Sequence, residues 1–224
     1  MTKIKYSFFI FFLFIVIYGY NNPLFCYVKQ IDIKGNKMIS RIEIIQTSNL
    51  QNKLLFFYNE KQYINNIKEN LFINSVSLKK ISYSKIQLDI QERIFIFNVN
   101  SNKFKGLLDE DGIFFKSNYE RLKNDLPILN TELKSEFRKA LMIDKLFRES
   151  ELYQFFNLSE LIIDEIIGIQ IYTNLGQTIL LGESDIKKKI RQLKFIMQDS
   201  LANEKKPIFI DLRENGKAIV NYNL

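Results

Sequence analysis

The sequence predicts an α+β protein with an apolar N-terminal segment and two domains beyond it. Three observations lead to this prediction. Residues 30–34 alternate between polar and apolar side chains, which is the pattern of a half-buried strand. Several later segments instead repeat their apolar residues at helical spacing. Finally, 20 phenylalanines and 11 tyrosines against 8 glycines and 3 prolines indicate folded domains rather than disorder.

The N-terminal segment predicts a membrane anchor. Lys3 and Lys5 precede a run over 6–28 that carries no charge. A helix of about 20 apolar residues crosses a bilayer, and flanking basic residues favour the cytoplasmic side. We therefore expect a cytoplasmic tail at 1–5 and a transmembrane helix at 6–27, with the rest of the chain outside the cytoplasm. A cleavable signal peptide is the alternative, although no small residues stand in an A-x-A arrangement.

The first predicted domain spans 28–95 in the order β-α-α-β-β. Its first strand ends at Gly35, which tolerates the positive φ of a tight turn. Ser40 and Glu43 then stand three residues apart, as in the capping box that begins a helix. A second amphipathic helix and two alternating strands, joined at 82–84, complete the predicted domain.

The second predicted domain spans 96–224 and combines two amphipathic helices with an antiparallel sheet. Apolar residues at helical spacing mark one helix from Leu133 to Leu141 and another from Ile186 to Leu201. Ser184 is the predicted N-cap of the second helix, because its hydroxyl can accept a hydrogen bond from the first turn. Three strands are expected between the two helices.

A closing hairpin is predicted from strands at 208–212 and 218–222. The sequence ends two residues after Tyr222, so we expect nothing to return and cover the outer edge of the last strand. An uncovered edge presents N–H and C=O groups that proteins either shield or use to pair with another chain. Lys217 and Asn221 shield this edge in part, and solvent protection alone is therefore an alternative to partner binding.

The composition excludes most catalytic machinery. With no histidine and one cysteine, Cys26, the chain cannot form a histidine-based triad, an internal disulfide or a multi-cysteine zinc site. The acidic stretch 109–112 is followed by Phe114, Phe115 and Lys116 where a calcium loop needs oxygen ligands, so we predict a turn there. The net charge of +7 could indicate a basic face for nucleic acid or anionic lipid, but its lysines are dispersed. We therefore expect them, including the run Lys187-Lys188-Lys189, to lie on solvated faces. We expect no enzyme activity, cofactor, metal, nucleic acid or small-molecule substrate.

Several motifs resemble the domains of one bacterial family. V-x-x-I-x-I-x-G-N at 28–36, I-S-x-x-E-I at 39–44 and I-x-L-x-I-Q-E-R at 86–93 resemble a POTRA domain. In the second half, L-P-x-L at 126–129 and the strand ending in D-L-R at 211–213 are similar to the domain that follows it. Behind a single apolar segment, this order resembles the cell-division family FtsQ, called DivIB in Gram-positive bacteria.

The resemblance implies a non-catalytic divisome scaffold, single-pass in the cytoplasmic membrane and located at the division septum. It implies partners of the FtsB and FtsL type and an influence on septal peptidoglycan synthesis. The last strand would accept a partner segment by β-addition, and the start of the first POTRA helix would carry a recruitment surface. The residues implied for partner binding are Arg213, Gly216, Lys217, Ala218, Ile219, Val220, Asn221 and Tyr222, and those for recruitment are Ile39, Ser40, Arg41 and Glu43.

Two other classes of protein are weighed against this one. A POTRA-bearing transport or outer-membrane assembly factor would share the first domain, but that class usually carries several POTRA copies. An enzyme of wall metabolism would need a histidine, serine or carboxylate constellation that the sequence does not offer. The divisome scaffold is therefore the leading hypothesis.

Overall fold

The computed structural model describes residues 9–17, 27–54, 59–116 and 126–223. These residues divide into two compact units, one up to Arg93 and one from Ile94. The predicted tail at 1–5 lies outside the described residues, and so does most of the span predicted at 6–27.

Within that span, residues 9–17 form a helix, α1, whose side chains are all exposed. Among the described residues, no helix is both long enough and apolar enough to cross a membrane.

The first unit has the predicted order β-α-α-β-β. Its elements are β1 (Gln30–Lys34), α2 (Arg41–Ser48), α3 (Glu60–Lys68), β2 (Ile73–Ser82) and β3 (Lys85–Glu92). Within the described part of this unit, the three strands form one sheet in the order β1-β3-β2. β1 is parallel to β3, and β2 is antiparallel to it.

The core of the first unit lies under α2 and α3. Alternate residues of β1 and β3 are buried, as the period of two requires, and Ile86 and Leu88 of the central strand are 0% exposed. Gly35 has φ of +87°, and a Cβ there would lie 2.0 Å from the carbonyl oxygen of Ile90. The turn after β1 therefore needs glycine for both its dihedral angle and its close approach to β3.

The second unit contains nine strands and two longer helices within its described residues. The strands are β4 (Phe95–Asn100), β5 (Lys105–Asp109), β6 (Phe114–Lys116), β7 (Ile128–Asn130), β8 (Leu158–Asp164), β9 (Gly168–Thr173), β10 (Thr178–Gly182), β11 (Lys206–Asp211) and β12 (Ile219–Asn223). The helices are α4 (Glu136–Glu149) and α5 (Ile186–Ala202), with a short 3-10 helix at Leu152–Gln154.

The sheet of the second unit is mixed, and the prediction of an antiparallel sheet is wrong. Its described strands lie in the order β12-β11-β10-β9-β8-β7-β4-β5-β6. The pairs β4–β7, β7–β8 and β10–β11 are parallel. Parallel neighbours need a long crossover, and α4 and α5 are the crossovers from β7 to β8 and from β10 to β11. The apolar spacing of the sequence reveals the two helices but not their role as crossovers.

One face of this sheet packs against α4 and α5. A row of paired residues across five strands is 0% exposed: Leu129, Leu161, Ile171, Ile179 and Ile210. The helices contribute the apolar faces predicted for them, including Phe137, Ala140 and Ile143 from α4 and Ile190, Leu193 and Met197 from α5. This face therefore forms the core that supports the last strands.

Three details of the predicted helices are wrong. α4 begins at Glu136, so Leu133 precedes it. Leu201 is 70% exposed because it lies in the last turn of α5, beyond the packed face. Ser184 is not the N-cap: Asp185 occupies that position with φ of +54° and makes no side-chain capping bond.

Candidate protein-interaction edge

The last described strand, β12, lies at the end of the mixed sheet. It pairs antiparallel with β11, from Asp211 opposite Ile219 to Lys206 opposite Asn223, with a bulge between Pro207 and Phe209. Among the described residues, no strand pairs with its other edge. Within the described residues, the outer edge of β12 is therefore free, as predicted.

The side chains of β12 alternate between two environments. Val220 and Tyr222 are half-buried on the side of the helices, whereas Ile219, Asn221 and Asn223 are exposed. Ile219 is an apolar residue with 61% of its surface exposed. A strand that added to this edge would meet a packed face on one side and an accessible apolar side chain on the other.

Tyr222 attaches β12 to the end of α5. Its hydroxyl lies 3.5 Å from the Ser200 Oγ. The Lys205 ammonium lies 5.4 Å from the centre of the Tyr222 ring, within the range of a cation–π contact. The ring therefore holds the strand against the domain while its half-exposed surface stays available.

The connection between β11 and β12 contains four of the predicted partner-binding residues: Arg213, Gly216, Lys217 and Ala218. The strand thus begins one residue later than predicted, at Ile219. Gly216 has φ of +80°, and a Cβ added to it would have no atom within 4 Å, so this glycine serves the turn rather than a close contact. The Lys217 Nζ lies 2.8 Å from the Glu214 Oε1.

Arg213 already has a partner within the domain. Its guanidinium donates to both carboxylate oxygens of Asp211, with the Nη2 2.7 Å from Oδ2 and the Nε 3.0 Å from Oδ1. These hydrogen bonds lower the pKa of Asp211 below its ordinary value. Half of the Arg213 side chain remains exposed, so it can contact a second protein without leaving Asp211.

Sequence reasoning misses Lys189 beneath this connection. Lys189 is only 2% exposed, although the run Lys187-Lys188-Lys189 reads as solvated. A signal is present in the sequence, because Lys189 is three residues after Ile186 and four before Leu193, on the apolar face of α5. Burial lowers the pKa of Lys189, and the charges of Asp185 and Asp211 oppose that shift.

The predicted recruitment segment lies between β1 and α2. Ser40 is the N-cap of α2, and its hydroxyl accepts a hydrogen bond from the Glu43 backbone N–H at 3.1 Å. The Asn70 side chain donates to the Glu43 carboxylate at 2.9 Å. Arg41 is exposed.

Ile39 cannot take part in this surface, because its side chain is 4% exposed and belongs to the core of the first unit. The segment instead exposes two apolar residues outside the predicted set, Met38 at 57% and Ile42 at 69%. The sequence does not reveal these two residues. An apolar residue in or next to a short helix can lie on its buried or its exposed face, and the local pattern does not decide which.

Across the described ranges, no group of three or more cysteine, aspartate or glutamate side chains could hold a metal ion. The acidic stretch at 109–112 forms the predicted turn between β5 and β6, where the Asp109 Oδ1 accepts the backbone N–H groups of Asp111 and Ile113.

The fold and the free edge define a class: proteins that join a POTRA-like unit to a larger α+β unit with an open strand. Two family models match this division. The FtsQ-type POTRA domain matches residues 27–93, and the C-terminal domain of the cell division protein FtsQ/DivIB matches residues 97–213. The chain belongs to the FtsQ/DivIB family of cell division proteins.

Similar proteins carry the same description. The chain is 22% identical to the cell division protein DivIB of Clostridium acetobutylicum over 200 residues, covering 84% of this chain and 80% of that protein. It is 25% identical to DivIB of Clostridium tetani over 221 residues, covering 90% and 81%. It is 24% identical to FtsQ of Syntrophotalea carbinolica over 182 residues, covering 75% and 64%.

Proposed function

We propose that this chain is a non-catalytic scaffold of the divisome that captures a segment of an FtsB- or FtsL-type protein along β12. The free edge of β12 is the observation that carries the proposal. Backbone N–H and C=O groups at such an edge can be satisfied by an added strand, which gives affinity that depends little on side chains. Membership of the cell division family favours this use over solvent protection alone.

The surroundings of β12 suggest how specificity would arise. The added strand would place alternate side chains beside Ile219 and Asn221 on one face, and beside Val220 and Tyr222 on the other. The half-exposed guanidinium of Arg213 would offer a charge contact at the end of the strand. Gly216, Lys217 and Ala218 would contribute through the turn that leads into it.

The chain would act outside the cytoplasm as a single-pass protein of the cytoplasmic membrane, located at the division septum. The charge pattern around the predicted anchor supports this orientation. The first unit would direct the protein to the septum through the exposed residues around Ser40, Arg41 and Glu43. By holding FtsB- or FtsL-type proteins, the second unit would link early and late division proteins and help to control septal peptidoglycan synthesis.

The decisive experiment tests backbone pairing. Proline has no N–H and interrupts a strand ladder, so Ile219→Pro should abolish co-purification with the FtsB-type partner. Truncation before Lys217 should have the same effect. Ile219→Thr is the matched control, because it changes the same side chain but keeps the N–H, and it should retain capture.

Circular dichroism and limited proteolysis would establish that the first unit stays folded in each variant. Undiminished co-purification of the partner with both Ile219→Pro and the truncated chain would overturn the proposal. The alternative of a transport or outer-membrane assembly factor has no comparable support, because the FtsQ/DivIB model accounts for residues 97–213.

A further inference from the structure

The buried amine of Lys189 has acceptors but no carboxylate at ion-pair distance within the described part of the chain. The residue lies in the first turn of α5 and is 2% exposed. A lysine is seldom buried this completely, because its ammonium loses hydration that the protein must replace. Hydrogen bonds within the protein must therefore replace the lost hydration of Lys189.

The three N–H groups of the ammonium have three acceptors. The Lys189 Nζ lies 2.8 Å from the carbonyl oxygen of Leu181, 3.1 Å from the carbonyl oxygen of Arg213 and 3.5 Å from the Ser184 Oγ. Leu181 is in β10, and Arg213 lies two residues beyond the end of β11. Because β10 and β11 are parallel, both carbonyls lie at the same end of the sheet.

We propose that Lys189 is a positioning residue for β12: by holding the Arg213 carbonyl against the end of β10, it fixes where the chain turns from β11 into the partner-binding strand. This inference rests on the proposed function of β12. It adds a buried residue whose hydrogen bonds, among the described residues, all go to atoms outside β12.

The contacts around Arg213 support this role. Its carbonyl is held by Lys189, and its backbone N–H donates to the Asp211 Oδ1 at 2.9 Å. The backbone also passes close to Gly182, where an added Cβ would lie 3.6 Å from the Arg213 Cα. Beyond this point, residues 213–219 are all exposed. The main chain of Arg213 is thus the last fixed point before an exposed connection.

A lysine is required here for a physical reason. A methionine of similar length could fill the same space, but it would leave the carbonyls of Leu181 and Arg213 without their shared donor. The bond to Leu181 is buried and the bond to Arg213 is partly buried. A carbonyl that loses its partner in such a place is destabilised, and the part of the structure with the fewest other contacts moves first. That part is the connection after Arg213 and the strand that follows.

The test compares Lys189→Met with Lys188→Met, which removes the same charge from an exposed neighbour in the same helix. Hydrogen exchange is measured across the second unit. In Lys189→Met, exchange at residues 213–223 should accelerate about tenfold or more, while β8, β9 and α4 keep their protection. Affinity for the FtsB-type partner should fall by about the same factor, and Lys188→Met should match the wild type in both measurements.

A uniform loss of protection across the second unit would indicate general stabilisation and overturn the inference, as would unchanged exchange at residues 213–223. If Lys189→Met does not fold, Lys189→Gln takes its place. Its shorter side chain keeps an N–H₂ donor but cannot make all three hydrogen bonds, so exchange should again accelerate at residues 213–223 and not elsewhere in the second unit. The exchange measurement needs no partner. If the wild type fails to bind an FtsB-type protein, the proposed function fails, while exchange still decides whether Lys189 positions β12.

Discussion

The carboxylate of Glu92 accepts the backbone N–H of Met38 through both of its oxygens, at 3.0 and 2.9 Å. The N–H groups of Lys37 and Ile39 also donate to the Glu92 Oε1, at 2.8 and 2.9 Å. One side chain at the end of β3 therefore fixes three consecutive residues of the loop that leads into α2. This loop leads to the exposed residues of the proposed recruitment surface, which lie at its end and in the first turn of α2.

Removing this carboxylate should loosen the loop. Glu92→Ala leaves three backbone N–H groups without their acceptor, and we expect the free energy of unfolding of the first unit to fall by about 1.5 kcal/mol. Urea unfolding of the variant measures this change. Glu69→Ala, at an exposed glutamate of the same unit, is the control and should change stability little. Equal stability of Glu92→Ala and the wild type would show that these bonds are replaced by water without loss.

If the proposed recruitment surface directs the protein to the septum, its localisation should depend on the charge of Arg41. Arg41 is exposed at the first position of α2, so Arg41→Glu should reduce septal localisation of a fluorescent fusion while the first unit stays folded. Lys61→Glu makes the same charge reversal at an exposed site of α3 and should localise normally. If both variants localise alike, or if Arg41→Glu unfolds the unit, the segment has a structural role only.

Arg213 and Tyr222 should contribute to partner affinity through their side chains. Each is partly exposed beside the free edge, so replacing both by alanine should weaken partner binding about tenfold or more, with less effect on the fold than proline. Isothermal titration with a synthetic FtsB-type peptide measures the change. Lys217→Ala, which removes an exposed lysine of the same connection, should have a smaller effect. If the double variant bound with wild-type affinity, these two side chains would not contribute to partner binding, and the backbone of β12 would account for it.

The Arg213–Asp211 pair predicts a pH dependence of stability. Hydrogen bonds from Arg213 hold the pKa of Asp211 below its ordinary value of 3.8 in the folded state. This stabilisation is present above pH 3.8 and is lost as the pH falls through the lower, folded-state pKa. The wild type should therefore be more stable than Arg213→Ala at neutral pH, and the difference should narrow below pH 3.8.

Urea unfolding at a series of pH values between neutral and about 2 tests this expectation. In an Asp211→Asn background, Arg213→Ala should change stability by an amount that does not depend on pH. If the wild type remained more stable than Arg213→Ala by the same amount in strong acid, the stabilisation would not come from ionised Asp211.

The charge pattern near the N-terminus predicts the topology. Lys3 and Lys5 before an uncleaved apolar segment should leave residues 28–224 outside the cytoplasm. A reporter that is active only outside the cytoplasm, fused after Leu224, should be active. Cytoplasmic activity, or a mature N-terminus near Cys26, would contradict this topology.

The fold of the first unit could be predicted because its signals are local. Ile31 and Ile33 alternate with polar residues, Gly35 marks the turn and Ser40 caps the helix, and each signal lies within a few residues of the element it specifies. Glu92 could not be assigned in the same way, because its partners Lys37 to Ile39 lie more than 50 residues earlier in the chain.

The second unit could be predicted less completely because its organisation depends on distant pairings. Helical spacing identifies α4 and α5, but strand direction depends on which strands a helix connects, and local patterns carry no such information. The burial of Lys189 escapes prediction for a related reason. Three lysines in a row suggest a solvated face, and only the helical phase set by Ile186 and Leu193 places one of them inside.

The position of β12 near the C-terminus also means that partner binding, as proposed, requires a nearly full-length chain. Ribosomes make the chain from its N-terminus, so β12 is synthesised after every other described strand. It pairs with β11, and β11 reaches β10 through the crossover α5, so β12 is the last described strand to become available to the sheet. A chain that ends before β12 would therefore lack the proposed docking strand, and only molecules made through that strand could bind the partner that we propose.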